Sequence, residues 1–520
     1  MRKIIASLFV IGACMASCSV TDLQPKDNLA SSIIFSDSAN IELAVVGVYH
    51  STQTQLFGYN GAGDSRGYPF GAAHVEQAEM RGEDCVNTQG FFTIVYANTQ
   101  TSSSPNCVNQ WAGLFEVINQ ANTAIDGLSS TKAISASRAA GFIGEMKFLR
   151  AMAYHDLLIF YARPYGDNPT SNLGVPYRVT PSQKSVDGAT GLSRNTVDDC
   201  YNKIIADLDF AEANLPATRS SQLQVTRATK GAAIALKTRV YQHMNNWAKV
   251  ITEASKIVTI ASASSPIGGY TLNAAPDGAF TNPTTVESVF SMEYSSVDQG
   301  SVNGGLGSCF LPNGPGGRGL IGVSPNLYNK SFWATTDLRR SLYIVNGTIG
   351  AGKLVYYINK YKDPKTNTDY TPLIRYSEVL LNYSEALART NDLSNSLLLL
   401  NAVRNRAVAV VDRYNGTTFA SQNSQIQAIL NERRIEFIGE GRRWPDIHRL
   451  STDPTYTTGG IPNKLLYSQY DASSFQAGSD MTTAGSITSI PYSDFRFLYP
   501  ISNVEIANNP TLASQQNPGY

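Results

Sequence analysis

Gly63-Asp64-Ser65-Arg66-Gly67 sets a serine in the G-x-S-x-G spacing of a nucleophile elbow, with His448 downstream where a triad base would stand. The elbow needs a strand before it and a helix after it. Gly58, Gly61 and Gly63 precede this serine and Pro69 follows, so the stretch reads as a loop. Gly314-Pro315-Gly316-Gly317-Arg318-Gly319 matches G-x-G-x-x-G, the dinucleotide fingerprint, but that motif works only at a strand-to-helix junction. Nothing strand-like comes before it and Pro325 comes soon after, so it too reads as a loop. The five histidines (His50, His74, His155, His243, His448) lack metal-ligand spacing, and no D-x-D-x-D-G calcium loop occurs. No cofactor is expected; a structural calcium held by dispersed carbonyls has no motif to predict it. Glu436 and Glu440 form a carboxylate pair on one helix face, whereas glycosidase carboxylates flank a bond from opposite sides. No catalytic residue is assigned, and the chain is expected not to be an enzyme.

Binding chemistry is better represented. Uncharged hydroxyl-bearing ligands need flat aromatic rings for their C–H faces and amide, carboxylate or guanidinium groups for paired hydrogen bonds. Two glycine-, serine- and threonine-dense regions, about 56–108 and 261–370, supply both kinds. In the first, Glu79-Met80-Arg81-Gly82-Glu83-Asp84 carries the polar groups and Tyr68, Phe91, Phe92 and Tyr96 the rings. In the second stand Tyr294, Asn313, Arg318 and Trp333. The expected ligand contacts are Arg81, Glu83, Asp84, Phe91, Tyr96, Tyr294, Asn313 and Trp333. Long loops in a compact protein are usually functional.

Such loops must be carried by a scaffold, and the remaining sequence supplies one. Apolar residues recur at three-and-four spacing over Ile41 to Gln55, Asn109 to Leu128, Ser137 to Tyr161 and Thr196 to Asn214. The same pattern marks two pairs, Thr226 to Met244 with Trp247 to Ile260, and Leu373 to Thr390 with Ser394 to Ala407. The second pair turns at Asn391-Asp392-Leu393. Helix, tight turn and helix in about 34 residues is the tetratricopeptide-like unit, whose apolar faces need stacked neighbours. The fold class is therefore mainly α: stacked helix pairs in a superhelical scaffold, with long irregular loops and a few short strands such as Ser288 to Tyr294. Glu432, Arg433, Glu436 and Glu440 are spaced to pair along one helix face.

The first residues assign a compartment. Arg2 and Lys3 precede the short apolar run Ile4 to Ala13, and small Ala16 and Ser17 precede Cys18, the pattern of a secretory signal cut before an acylated cysteine. Cys14 is the competing anchor, and a plain secreted protein the other alternative. No later run is apolar and long enough to span a bilayer. Removing 1–17 leaves 39 basic against 41 acidic residues, no electrostatic footprint for nucleic acid. Cys85, Cys107, Cys200 and Cys309 remain; Cys85 with Cys107 is a possible disulfide in an oxidising compartment, and four buried thiols the alternative.

Six stretches then resemble one family in order. They are Cys18-Ser19 with Asp22-Leu23 and Pro25; Phe148-Leu149-Arg150-Ala151 to Tyr161 with Tyr165-Gly166-Asp167; and Ile374-Arg375-Tyr376-Ser377-Glu378 through Glu385-Ala386. Leu400 to Ala407, the run Glu432-Arg433-Arg434-Ile435-Glu436-Phe437 through Glu440-Gly441 to Arg443-Trp444 and Asp446, and Tyr499-Pro500-Ile501 with the terminal Gln516 to Tyr520 complete the set. The chain resembles the SusD/RagB outer-membrane lipoproteins of Bacteroidetes. The resemblance implies one domain over 18–520 that binds oligosaccharide, or in some members peptide, outside the cell and partners a SusC-like TonB-dependent transporter. Pro445 and Ser17 depart from the family pattern. Cys18→Ala is expected to abolish lipid labelling and release the protein from the outer membrane; a label retained on that variant moves the anchor to Cys14.

Overall fold

Side-chain caps set where the helices begin. In the computed structural model, which describes residues 31–55, 66–182, 191–349 and 353–520, the principal helices are α1 (Ser38–Gln53), α2 (Ala72–Met80), α3 (Pro105–Ser130), α4 (Ala136–Tyr161), α5 (Val197–Asn214) and α6 (Lys230–His243). They continue with α7 (Trp247–Ile257), α8 (Tyr376–Arg389), α9 (Leu393–Arg404), α10 (Gln422–Glu436) and α11 (Arg443–Leu450). Asp37, Ser135, Thr196, Thr229, Asn246, Asp392 and Ser421 each accept a backbone N–H of the first turn they precede. Each such cap contributes about 1 kcal/mol. Cys18, its rival Cys14, the 1–17 leader and Gly63 to Ser65 lie outside the described residues.

From α3 to α10 each helix packs on its successor, so the scaffold is a stack of antiparallel pairs of tetratricopeptide-like character. The expected pairing of α8 with α9 is present, as is that of α6 with α7. α4 runs through the centre and is buried almost all round, from Phe142 to Tyr161. One apolar core reaches from Phe35 to Leu512.

The two irregular regions are more ordered than their composition suggests. α2 lies within the first; all nine of its residues are buried, which removes the polar face that makes a helix visible in sequence. A four-stranded antiparallel sheet, ordered β1 (Cys85–Asn87), β3 (Ile321–Val323), β5 (Lys353–Ile358), β4 (Ile344–Ile349), stitches the first region to the second. Cys85 pairs with Val323, and Thr88 N–H extends the ladder to the Leu320 carbonyl at 3.0 Å. β2 (Ser288–Met292), close to the expected strand, pairs with β6 (Thr371–Arg375) just ahead of α8.

The acidic residues at the end of α10 do not pair along the helix as their spacing suggests. The helix stops at Glu436, and the partners come from elsewhere in the chain. Glu432 meets Arg339 and Arg404, Glu436 meets Arg339, Arg375 and Arg406, and Glu440 meets Arg375 and Lys360, all at 3.1 Å or less. Arg433 turns to Asp446 of α11 at 2.8 Å. Pro445 sits in the first turn of α11, where its missing N–H costs no helical bond.

Glu436 is fully buried, so Glu436→Ala strands three guanidinium groups without their shared carboxylate. The expected loss is about 3 to 5 kcal/mol of unfolding free energy. Urea titration checks it, and a loss under about 1 kcal/mol would remove the network from its structural role.

Candidate functional site

The sheet that joins the two irregular regions leaves a seam on the surface, and the half-buried Phe91 stands on it. Its ring lies between two guanidinium groups, Arg66 at 5.2 Å and Arg318 at 4.8 Å from the ring centroid. Phe92 meets it edge-on at 4.9 Å and is itself buried. Arg318 is held by bonds it donates to the Val302 carbonyl (3.0 Å) and to Asn303 Oδ1 (2.8 Å). Asn313 is exposed beside the turn that Gly314 N–H closes on the Gly317 carbonyl. An aromatic face flanked by forked donors and amides suits rings bearing hydroxyl groups.

A pocket of about 170 Å³ borders the same loop. Tyr49, His50 and Gln53 of α1 line it together with Leu223, Glu293 and Asp298. His50 Nδ1 lies 3.1 Å from Asp298 Oδ2, and Gln53 Nε2 donates to the Asp298 carbonyl at 3.3 Å. Burial, with Asp298 adding to it, pushes the Glu293 carboxyl above its usual range. Val302, which holds Arg318, is four residues from Asp298, a span of at most ~14 Å. The 298–303 segment therefore links the lining of the pocket to the residues that hold Arg318.

Most of the contacts expected from sequence lie inside the protein. Arg81 is wholly buried: its guanidinium stacks 4.0 Å from Trp444 and 4.7 Å from Tyr499 and donates to the Phe497 carbonyl at 2.6 Å. Trp333 is also wholly buried, edge-on to Tyr328 and 4.7 Å beneath Arg340. Tyr96 is buried and donates to the Leu465 carbonyl at 2.7 Å; Tyr294 is buried and its hydroxyl reaches the Gln53 carbonyl at 3.4 Å. Asp84 is buried against Arg434, and Glu83 is held by Arg443 at 3.0 Å and Arg434 at 3.1 Å. These six are corrected to structural roles, because the loops pack on the scaffold instead of standing clear of it. Phe91, Asn313 and Arg318 stay at the surface; Arg66, Asn303, His50 and Asp298 join them, with the buried Gln53 behind the pocket, without any signal of spacing.

The disulfide is corrected as well. Cys85, Cys107, Cys200 and Cys309 are all buried free thiols. Cys85 Sγ lies 3.5 Å from Glu79 Oε2, and burial raises the Glu79 carboxyl to about 7. His448, the elbow's partner, is buried, bonded through Nε2 to the Ala162 carbonyl at 2.9 Å and depressed by burial to about 4. The Gly314 to Gly319 stretch leads into strand β3 and opens no helix. Among the described residues no group of three or more His, Cys, Asp or Glu could hold a metal ion, and no helix is long and apolar enough to cross a membrane.

Comparison with known proteins settles the ancestry of this arrangement. A model of the SusD family matches 323–520, the segment that carries the buried ionic network apart from Glu287. A second, described as starch-binding associating with outer membrane, matches 58–242. The chain belongs to the SusD family. It is 23% identical over 494 residues to SusD-like protein P25 of Formosa agariphila, covering 86% of this chain and 89% of that relative. A crystal structure of a SusD superfamily protein from Bacteroides fragilis superposes with TM-score 0.74 at 24% identity, covering 92% of this chain and 99% of the other. A laminarin binding SusD-like protein superposes with TM-score 0.68 at 20% identity, over 94% of this chain and all of the other. For this SusD-family chain, Trp333→Ala is expected to cost about 3 to 5 kcal/mol of stability, as truncating a core tryptophan does. Thermal unfolding reads it, and a variant as stable as the parent would return Trp333 to the list of ligand contacts.

Proposed function

We propose that this chain is a lipid-anchored protein of the outer membrane that binds oligosaccharide outside the cell and delivers it to a SusC-like TonB-dependent transporter. In this reading 1–17 is a signal peptide, Cys18 carries the lipid, and 18–520 forms one SusD/RagB-like domain that does no chemistry on its ligand. The observation that carries the reading is the Phe91 ring held between Arg66 and Arg318 at the seam of the two irregular regions. The laminarin-binding neighbour, alike in fold, and the outer-membrane description of the second family model support the ligand class and the location. Glu436 and Glu440 support the non-enzymatic reading: both grip Arg375 in the interior, with no room for a glycosidic bond between them.

Capture of oligopeptides is the second reading, because two guanidinium groups beside an aromatic ring also suit carboxylates. Titration calorimetry against panels of neutral oligosaccharides and of oligopeptides separates the two. With the oligosaccharide that binds, Phe91→Ala is expected to weaken affinity by about 1 to 3 kcal/mol, the range for an important interface aromatic. The melting temperature should hold, since the ring is only half buried. Heat from peptides alone would establish the second reading, and unchanged affinity in the variant would take the seam out of the site.

A further inference from the structure

A second pocket, of about 220 Å³, lies beside the first against strand β2. Ser291 of that strand lines both pockets. Between them stands a wall of side chains: Gln222 Nε2 donates both to Glu293, which lines the first pocket, and to the Tyr370 hydroxyl (2.8 Å), which lines the second. Phe280 and Tyr370 are half-buried rings in the lining of the second pocket. Lys362 and Asp369 line it too, yet they form no ion pair with each other or with any described residue. Asp369 is instead fixed by the backbone, accepting the N–H of Lys362 (3.0 Å) and of Asp363 (2.8 Å). The loop between them is locked by Asp363, whose carboxylate accepts the N–H groups of Lys365, Thr366 and Thr368.

A donor and an acceptor of opposite charge thus line one cavity without forming an ion pair, next to aromatic rings, with the acceptor fixed by the loop backbone. Burial shifts both toward their uncharged forms, Lys362 downward and Asp369 upward, so each gains from a hydrogen-bonding ligand more than a solvated group would. Neighbouring hydroxyls of a neutral sugar supply the matching acceptor and donor, and the ring faces supply the stacking surface. An anionic ligand fits less well, since Asp277 and Asp369 both act on Lys362.

We propose that the Phe280–Tyr370–Lys362–Asp369 pocket is a second site for a neutral saccharide unit, divided from the first only by the Gln222 wall. The proposal rests on the saccharide reading of this protein but not on the Phe91 seam. Saturation-transfer NMR with glucose, galactose, mannose and xylose, each at high millimolar concentration, tests it on the full chain. At least one sugar should give a signal that falls fivefold or more in both Lys362→Ala and Tyr370→Phe, and that persists in Phe91→Ala. Lys362 has an exposed side chain, and Tyr370→Phe keeps the ring, so both variants should melt with the parent. Signals that depend on Phe91 but not on Lys362 or Tyr370 would overturn the second site and leave the saccharide reading standing. No signal from any of the sugars, with heat from peptides in calorimetry, would overturn both.

Discussion

Arg375 is the residue on which the rest of the structure leans. It ends β6 just before α8, is almost wholly buried, and meets Glu287 at 2.5 Å, Glu436 at 2.9 Å and Glu440 at 2.7 Å. A lone guanidinium there would cost several kcal/mol in lost hydration. Its partners are themselves shared: Glu287 and Glu436 with Arg406, Glu436 and Glu432 with Arg339, Glu440 with Lys360, Glu432 with Arg404, while Asp337 completes Arg339. Five cations thus face five carboxylates in one connected, neutral network. Because each charge is satisfied only when all the contributing segments are in place, the network fixes β2, β6, α9, α10 and the 337–360 stretch relative to one another.

That arrangement explains why long irregular regions present a defined surface. Glu287, Arg339 and Lys360 belong to the second region, so the Gly-rich stretch between 287 and 339 starts and finishes on residues pinned to the scaffold. A second set of ion pairs, Glu83 and Asp84 with Arg434 at the end of α10 and Arg443 at the start of α11, does the same for the first region. The sheet between β1 and β3 then closes the seam, and Phe91 emerges three residues beyond the ladder bond of Thr88. A ring held this way loses little conformational freedom when a ligand arrives, which favours affinity without a large contact area.

How much of this could be read from sequence follows from where the partners lie. Helices whose faces alternate, such as α5 with buried Cys200, Ile204, Leu208 and Ala211, announce themselves through spacing and a capping Thr196. α2 did not, because burial on every side leaves no alternation to detect. The loop residues were misjudged for a related reason: Arg81 binds a carbonyl 416 positions away, and Tyr96 one 369 positions away. Nothing local distinguishes Trp333, in the core, from Phe91, on the seam; both are aromatic residues in low-complexity surroundings. The Glu432 to Glu440 run was legible as a structural cluster, yet its spacing suggested neighbours on a helix while its partners come from across the fold.

The same physics separates what identifies the protein from what gives it a ligand. Three of the six motifs that mark the family, those around Arg375, Arg404 to Arg406 and Glu432 to Glu440, carry the ionic network, where removing one charge leaves others buried and unpaired at a cost of several kcal/mol. The seam and its neighbouring pockets are lined by groups such as Asn313, Glu293 and Lys362 that stay open to solvent. Substitution at exposed positions of that kind generally changes stability by less than ~0.5 kcal/mol. The scaffold therefore tolerates different surface chemistry at the seam, and a family signature this clear names the architecture while leaving the ligand to be read from the few residues exposed there.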